Sequence, residues 1–447
     1  MREKSNVFNL LLLLGGRSIP AACFLLYEVS GISKLFLHKK IIVPLLVLFF
    51  AATFCHLLPA RAYDIGAAAV AATEGLIDNG GYAVEKNDKY LVTHNLHIPY
   101  VPASIIKIAT ALAALEILGP EFRFNTDFYL DDQQNLYIKG FGDPFLISEE
   151  VAVIAAKLKE RGCRNINDIY LDNTAFQLIA AADGAGASDN PFDAHNSALA
   201  VNFNTVNIIK DTTGSFVSAE EQTPALALMA ELAEKLPPGL HRINITNEES
   251  SGTANINRYV GELFRVFLKQ ENIGGEGTIT SRKIPENLKL FYTHPSSKTL
   301  EDIIEPLLLF SNNFIANQLF LTLGAFQSGY PATWEKSKQV MADYLKKNYN
   351  VSDNELRIIE GSGLSRKNRA SSHAMLQLLD SFKPYAKLLP QEDGKLLKSG
   401  TLKDVYSYAG YFMENERLDS FVLLLNQGQN NRDRLLDVLE QIYHTNQ

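Results

Sequence analysis

Ser104-Ile105-Ile106-Lys107 places a hydroxyl and an amine three residues apart, and no other Ser-x-x-Lys occurs in the 447 residues. On a helix, residues i and i+3 share a face, so the Lys107 amine can reach the Ser104 hydroxyl. A serine becomes nucleophilic when a base takes its proton. A lysine can be that base if burial and a neighbouring cation keep it partly neutral. Two further clusters follow in the chain: Ser311-Asn312-Asn313, and Lys398-Ser399-Gly400-Thr401. Lys398 is the candidate second cation, and with the Ser399 hydroxyl it would attract a substrate carboxylate. Ser311 can relay a proton to a leaving amine, and the Asn313 amide can hold a substrate peptide group. The backbone N–H groups of Ser104 and Thr401 would supply an oxyanion hole.

The elements that must position these groups read as follows. From Ser104 to Gly119 the chain is a helix pattern that is apolar on nearly every side. Such a helix belongs inside a domain, and an unpaired ammonium there costs several kcal/mol or more. Its polar first turn must therefore open onto a cleft. Tyr90–Leu96 reads as a strand, and residues 299–349 read as helical. Val405–Met413 and Arg417–Gly428 read as a strand pair, followed by an amphipathic helix over Asn431–His444. Between these flanks, residues 123–292 are rich in strand-and-turn patterns, with two helical stretches at Glu149–Arg161 and Pro224–Lys235. A β-rich middle between helical flanks predicts one domain inserted into another. Ser311 and Asn313 taken alone also suit a helix-capping loop. Gly361 and Gly363 suit a turn, with Ser371 or Ser372 capping the next helix.

The formal net charge is −8. Residues 1–62 carry seven Lys/Arg against two Asp/Glu, leaving 35 basic and 48 acidic residues beyond them, a balance of −13. That acidity argues against a nucleic-acid partner. The basic His38-Lys39-Lys40, the apolar run Ile41–Phe54 and the A-x-A of Ala60-Arg61-Ala62 have the form of a signal peptide over about 38–62, cleaved after Ala62. Residues 1–62 are thus expected to be a leader and the rest an exported protein. An uncleaved leader would instead anchor the chain to a membrane. Cys23 and Cys55 lie in this leader, so Cys163 remains alone and reads as a small packed residue. The nine histidines show no H-E-x-x-H or similar spacing, and a zinc peptidase finds no support.

The three clusters, in this order, form the signature of penicillin-interacting serine enzymes. From residue 63 onward the chain resembles the low-molecular-mass class C penicillin-binding proteins, the D-alanyl-D-alanine carboxypeptidases/endopeptidases of bacterial cell walls. The likeness runs through "PASIIKIATALAALEILG", "LYIKGFGDPFL", "INDIYLDNTAF", "SALAVNFNTV", "SNNFIANQL", "GSGLSRKNRAS" and "KSGTLKDVYSYAGYF". The 207-residue interval from Ser104 to Ser311 also fits that family, which inserts a domain there, and not the more compact β-lactamases.

The resemblance implies an α/β (α+β) fold. Residues 63–122 and 293–447 would form a transpeptidase-like domain, an antiparallel sheet flanked by helices, with 123–292 inserted. It implies acyl-enzyme chemistry in the periplasm on peptidoglycan stem peptides and cross-links, with β-lactams as covalent inhibitors and no metal or cofactor. It also places Arg366, Asp172 and Phe176 near the substrate's side chain. The sequence departs from the family pattern at Ser399, usually threonine, at Glu360, usually aspartate, and at Asn317, usually glutamate. Two alternatives stay open: a catalytically weakened peptidoglycan-binding scaffold of the same fold, and a β-lactamase, for which no carboxylate base is evident.

Overall fold

The computed structural model describes residues 71–247, 252–349 and 351–445. The expected leader and its cleavage site lie outside them. Among the described residues no helix is long and apolar enough to cross a membrane.

The chain opens with β1 (Gly80–Lys86), β2 (Lys89–His94), a 3-10 turn over Ala103–Ile106 and α1 (Lys107–Leu118). The inserted region contributes β3 (Asn125–Leu130), β4 (Leu136–Gly140), α2 (Ser148–Glu160), β5 (Ile169–Asp172), β6 (Thr205–Lys210), β7 (Phe216–Ser218), α3 (Ala227–Glu234), β8 (Gly239–Asn244), α4 (Gly252–Gln270), β9 (Ile279–Ser281) and β10 (Leu290–Pro295). Then come α5 (Leu300–Leu309), α6 (Asn313–Ser328), α7 (Trp334–Asn348), the short pair β11 (Leu356–Arg357) and β12 (Arg369–Ala370), and α8 (Ser372–Phe382). The chain closes with β13 (Gln391–Glu392), β14 (Lys395–Leu402), β15 (Val405–Glu414), β16 (Arg417–Leu425) and α9 (Arg432–Thr445).

Both ends of the described chain build one antiparallel sheet, ordered β13-β14-β15-β16-β1-β2. Its central strands are apolar on both faces because helices cover both. Along β16, Val422 and Leu424 point into the core shared with α1 and α8, while Phe421, Leu423 and Leu425 meet Leu435, Leu439 and Tyr443 of α9. Helix α1 packs against α5, α6 and α8. That enclosure is why its sequence is apolar all round.

The inserted region has its own core, around Phe128, Ile138, Tyr259 and Phe264. Its five-stranded sheet runs β10-β3-β4-β5-β9, antiparallel across β10, β3 and β4 and parallel across β4, β5 and β9. A three-stranded sheet, β7-β6-β8, accompanies it. The chain enters and leaves side by side, with Ser296 N–H donating to Phe124 O at 2.7 Å and Leu300 N–H to Phe122 O at 2.8 Å. The expected second limit, 292, falls inside β10, which runs on to Pro295.

β1 and α4 were among the elements not expected. β1 begins Gly80-Gly81, which reads as a turn, yet Gly80 must lack a side chain because a Cβ there would lie 2.5 Å from Leu424 O. Helix α4 makes a third helix where two were expected in the insertion. Its buried stripe of Ile256, Tyr259, Val260, Leu263, Phe264, Phe267 and Leu268 has helical spacing. Its Gly261 and its aromatic and β-branched residues carry low intrinsic helix propensity, and tertiary burial overrides that preference.

Candidate active site

The nucleophile turn is held from several sides. From Val101 to Leu115 every residue is buried except Ser104, which is half-buried. Ala103, just before it, has a φ of +50°. This left-handed conformation costs an alanine of order 1 kcal/mol, and it persists because the surroundings over-determine it. Ser407 Oγ donates to Pro102 O at 2.6 Å, and the Asn426 side chain both accepts from Val101 N–H (2.9 Å) and donates to Val101 O (3.0 Å). Two glycines press on the same backbone. A Cβ on Gly363 would lie 3.0 Å from Ser104 N, and one on Gly400 2.9 Å from it and 2.8 Å from Pro102 O. Gly363, with φ +91°, is thus more than a turn glycine, since it also leaves room for the Ser104 amide.

Lys107 is fully buried, and its Nζ has three partners: Ser104 Oγ at 3.0 Å, Asn313 Oδ1 at 2.7 Å and Ser362 O at 2.5 Å. An ammonium would donate to all three. A neutral amine has two protons and one lone pair. With Asn313 Oδ1 and Ser362 O taking the protons, the lone pair faces the Ser104 hydroxyl. Burial first, then the charge of Lys398, hold the amine well below its ordinary range, and the Glu360 carboxylate pulls the other way. The Ser104 and Asn313 contacts place the first two motifs at one point.

The third motif arrives on β14. Alternation along the strand puts Lys398 and Gly400 on one face and Ser399 and Thr401 on the other. Lys398 is buried, and its ammonium donates to Ser399 O at 3.0 Å. Burial, reinforced by Arg432 and opposed by Glu392, lowers its pKa to about 8. β13 pairs with β14 only at Lys395 and Leu396. From Lys398 to Leu402, therefore, β14 has no strand partner on that side among the described residues.

The second motif corrects the capping expectation. Asn312 caps α6, accepting from Ile315 N–H at 3.0 Å, so neither Ser311 nor Asn313 is used as the cap. Ser311 takes a φ of +54° ahead of the helix. Asn313 also donates from Nδ2 to Phe192 O of the inserted region at 3.4 Å. A cleft of about 380 Å³ opens here, lined by Ser311, Asn313, Phe192, Phe203, Arg242 and Phe310 among others. Of the two serines considered as the cap of α8, Ser371 takes the role, accepting from Ala374 N–H.

The three remaining expected residues divide. Arg366 is exposed and donates from Nη2 to Lys403 O at 2.5 Å, in the turn that ends β14. Asp172 and Phe176 are engaged elsewhere. The buried Asp172 carboxylate accepts from Thr174 N–H, Thr174 Oγ1 and Ile284 N–H, a turn closure inside the insertion. Phe176 is buried against Gly142 in the main core and bridges to Ala332.

Two residues that hold the site, Arg432 and Ser407, carried no sequence signal, and a third, Glu360, was noted only as a departure from the family pattern. Arg432, opening α9, donates to Gly400 O at 3.1 Å and to Thr401 Oγ1 at 3.0 Å, and lies 4.1 Å over the Tyr408 ring. Ser407 holds Pro102. Glu360 gathers five donors: Ser362 N–H and Oγ, Gly363 N–H, Ser365 N–H and the Asn368 amide. Asn317 meets the same loop from α6, accepting from Gly361 N–H at 2.7 Å.

A serine–lysine pair at the head of a buried helix, with a second lysine on an antiparallel sheet assembled from both chain ends, defines a transpeptidase-like fold of the penicillin-binding class. Comparison with known proteins narrows this further. The model of the D-Ala-D-Ala carboxypeptidase 3 (S13) family matches residues 68–233 and 239–389, and the chain belongs to that family. It is 27% identical over 322 residues to a D-alanyl-D-alanine carboxypeptidase of Actinomadura sp. (strain R39), covering 62% of this chain and 59% of that one. It is 26% identical over 388 residues to the D-alanyl-D-alanine carboxypeptidase DacB of Haemophilus influenzae, covering 72% and 80%. In three dimensions it is similar to penicillin binding protein 4 (dacB) from Haemophilus influenzae, with a TM-score of 0.66 at 21% identity, covering 81% of this chain and 94% of that one. A β-lactam complex of the same protein gives a TM-score of 0.62 at 20% identity, covering 81% and 93%. The family match ends before Lys398, so that residue's place in the site rests on geometry.

Proposed function

We propose that this chain is an exported serine D,D-peptidase that cleaves D-alanyl-D-alanine ends or D-alanyl cross-links of peptidoglycan peptides, working in the periplasm. The observation that carries the reading is the triple contact of a buried, pKa-depressed Lys107 with Ser104, Asn313 and Ser362. The substrate backbone adds to the free edge of β14. Its terminal carboxylate meets Lys398, the Ser399 hydroxyl and, through Thr401, the charge of Arg432. Ser104 Oγ bonds to the scissile carbonyl carbon as Lys107 takes the hydroxyl proton. The oxyanion is held by the N–H groups of Ser104 and Thr401. As the C–N bond breaks, the leaving amine receives a proton through Ser311, and water then hydrolyses the ester. Arg366, at the end of β14, contributes to substrate recognition. β-Lactams acylate the same serine. The departure at Ser399 keeps the hydroxyl, and those at Glu360 and Asn317 keep acceptors on the loop that faces Lys107, which favours an active enzyme over a scaffold.

The test is mass spectrometry after incubation with penicillin, together with digestion of defined monomeric and cross-linked muropeptides. The expected result is one adduct on the peptide containing Ser104 and hydrolysis of one or both muropeptides. D-Alanine release marks carboxypeptidase action, and separation of cross-links marks endopeptidase action. Absence of both adduct and hydrolysis would sink the proposal.

The two lysines also set a pH dependence. Lys107 must be neutral to act, so acylation falls as pH drops and the amine is protonated. Lys398 must be charged to hold a carboxylate, so turnover falls again as pH rises through about 8. A bell-shaped kcat/KM profile for D-alanyl peptides is expected, with its alkaline limb flattened when the substrate's terminal carboxylate is amidated. A profile that keeps rising to pH 10 on the free-acid substrate would contradict the anchoring role of Lys398.

A further inference from the structure

Outside the residues of that site, three metal-ligating side chains from three distant parts of the chain meet. His97 lies between β2 and the Ser104 turn, Glu355 just ahead of β11, and His373 in the first turn of α8. His97 Nδ1 is 2.8 Å from Glu355 Oε1, and His373 Nδ1 is 3.1 Å from the same oxygen. The two imidazole rings are 4.6 Å apart, and the three ligand atoms lie within 4.8 Å of one another.

Two imidazoles and a carboxylate are a donor set for borderline divalent ions, zinc above all, and a poor one for magnesium or calcium. Bonds of about 2.0–2.1 Å in a tetrahedral site separate the ligand atoms by roughly 3.3 Å. The two observed separations, 2.8 and 3.1 Å, are shorter than that by about half an ångström or less. A metal could replace the two shared protons with small side-chain shifts.

The supporting shell is built. Ser371 Oγ donates to Glu355 Oε1 at 3.2 Å, and the Gln377 amide lies 3.0 Å from His373 Nε2. Turned with its oxygen toward the ring, that amide accepts the Nε2 proton a metal-bound imidazole carries. The three carriers are already tied through the backbone: His373 N–H donates to Leu96 O, Ser371 N–H to Glu355 O, and Tyr100 and Ala370 exchange both bonds. The His97 side chain is 63% exposed, which provides the entry path and leaves a fourth position for water.

We propose that His97, Glu355 and His373 form a site for one zinc-class divalent ion, fastening the segment that leads into the Ser104 turn onto β11 and α8. The site is structural, takes no part in acyl transfer and does not depend on the peptidase reading.

The test uses untagged protein stripped with a chelator and titrated with zinc, and separately with cobalt(II), whose visible absorption reports tetrahedral nitrogen and oxygen ligands. The expected result is one equivalent bound per chain, a tetrahedral cobalt band and a raised unfolding midpoint with zinc. In His97→Ala and Glu355→Gln the cobalt band is lost and zinc affinity falls at least about tenfold. Because His97 is exposed, its variant keeps the fold, and an unchanged circular dichroism spectrum verifies this. Zinc uptake equal in wild type and His97→Ala, or no stoichiometric uptake by the wild type, would overturn the proposal and leave the cluster an ion pair.

Discussion

Ser104→Ala is expected to take up no fluorescent penicillin, and Lys107→Ala to take it up about 10²–10⁴-fold more slowly than wild type, the usual contribution of a positioned general base. The two losses differ in kind. Without Ser104 there is no atom to acylate. Without Lys107 the hydroxyl remains, but water must carry its proton in a turn where every neighbour is buried. Lys107→Ala also leaves Asn313 Oδ1 and Ser362 O without their donor, at a cost of about 1–3 kcal/mol each if water does not replace it. The variant should still fold, because no carboxylate is left without a partner: Glu360 keeps five donors of its own. Stopped-flow acylation rates alongside thermal unfolding separate the two effects. A Lys107→Ala protein that melts earlier yet acylates at the wild-type rate would make the lysine a structural tie and remove it from the mechanism.

The residues that meet at the proposed site were legible where chemistry constrains residue type and order. A lysine three residues after a serine in an apolar helix has few uses, and the two later motifs gave it partners. The sheet was legible in part, because β15 and β16 are long and strongly apolar. What escaped reading acts through position alone. Arg432 is one arginine among several until α9 lays it over Tyr408 and against Thr401. Ser407 is an ordinary strand serine until β15 brings it to Pro102. Asp172 and Phe176 have local packing duties that the sequence did not signal. Their segment resembles the family, but here the carboxylate closes a turn and the ring fills a core. The histidine–glutamate cluster could not be found by spacing, since residues 97, 355 and 373 meet only through the crossing of three segments.

Glu360→Gln is expected to lower both stability and acylation, and the pH dependence of the remaining activity shows which role the carboxylate plays. Glu360 is fully buried, and five donors converge on its two oxygens. Glutamine has nearly the same shape but turns one acceptor into an NH₂ group facing N–H donors. At least two charge-assisted hydrogen bonds are then lost, at about 1.5–3 kcal/mol each, offset in part because a buried charge is removed. A net loss of about 2–4 kcal/mol follows. The loop so loosened carries Ser362 O, which takes a Lys107 proton, and Gly363, which packs on the Ser104 amide, so acylation slows as well. Electrostatics predicts a separate change. The carboxylate favours the Lys107 ammonium, so its neutralisation lets Lys107 lose its proton more readily and moves the acid limb of the acylation profile to lower pH. Slower acylation with the limb displaced downward identifies Glu360 as both the organiser of the loop and a counter-charge to the base. Slower acylation with the limb unmoved would confine it to the first role.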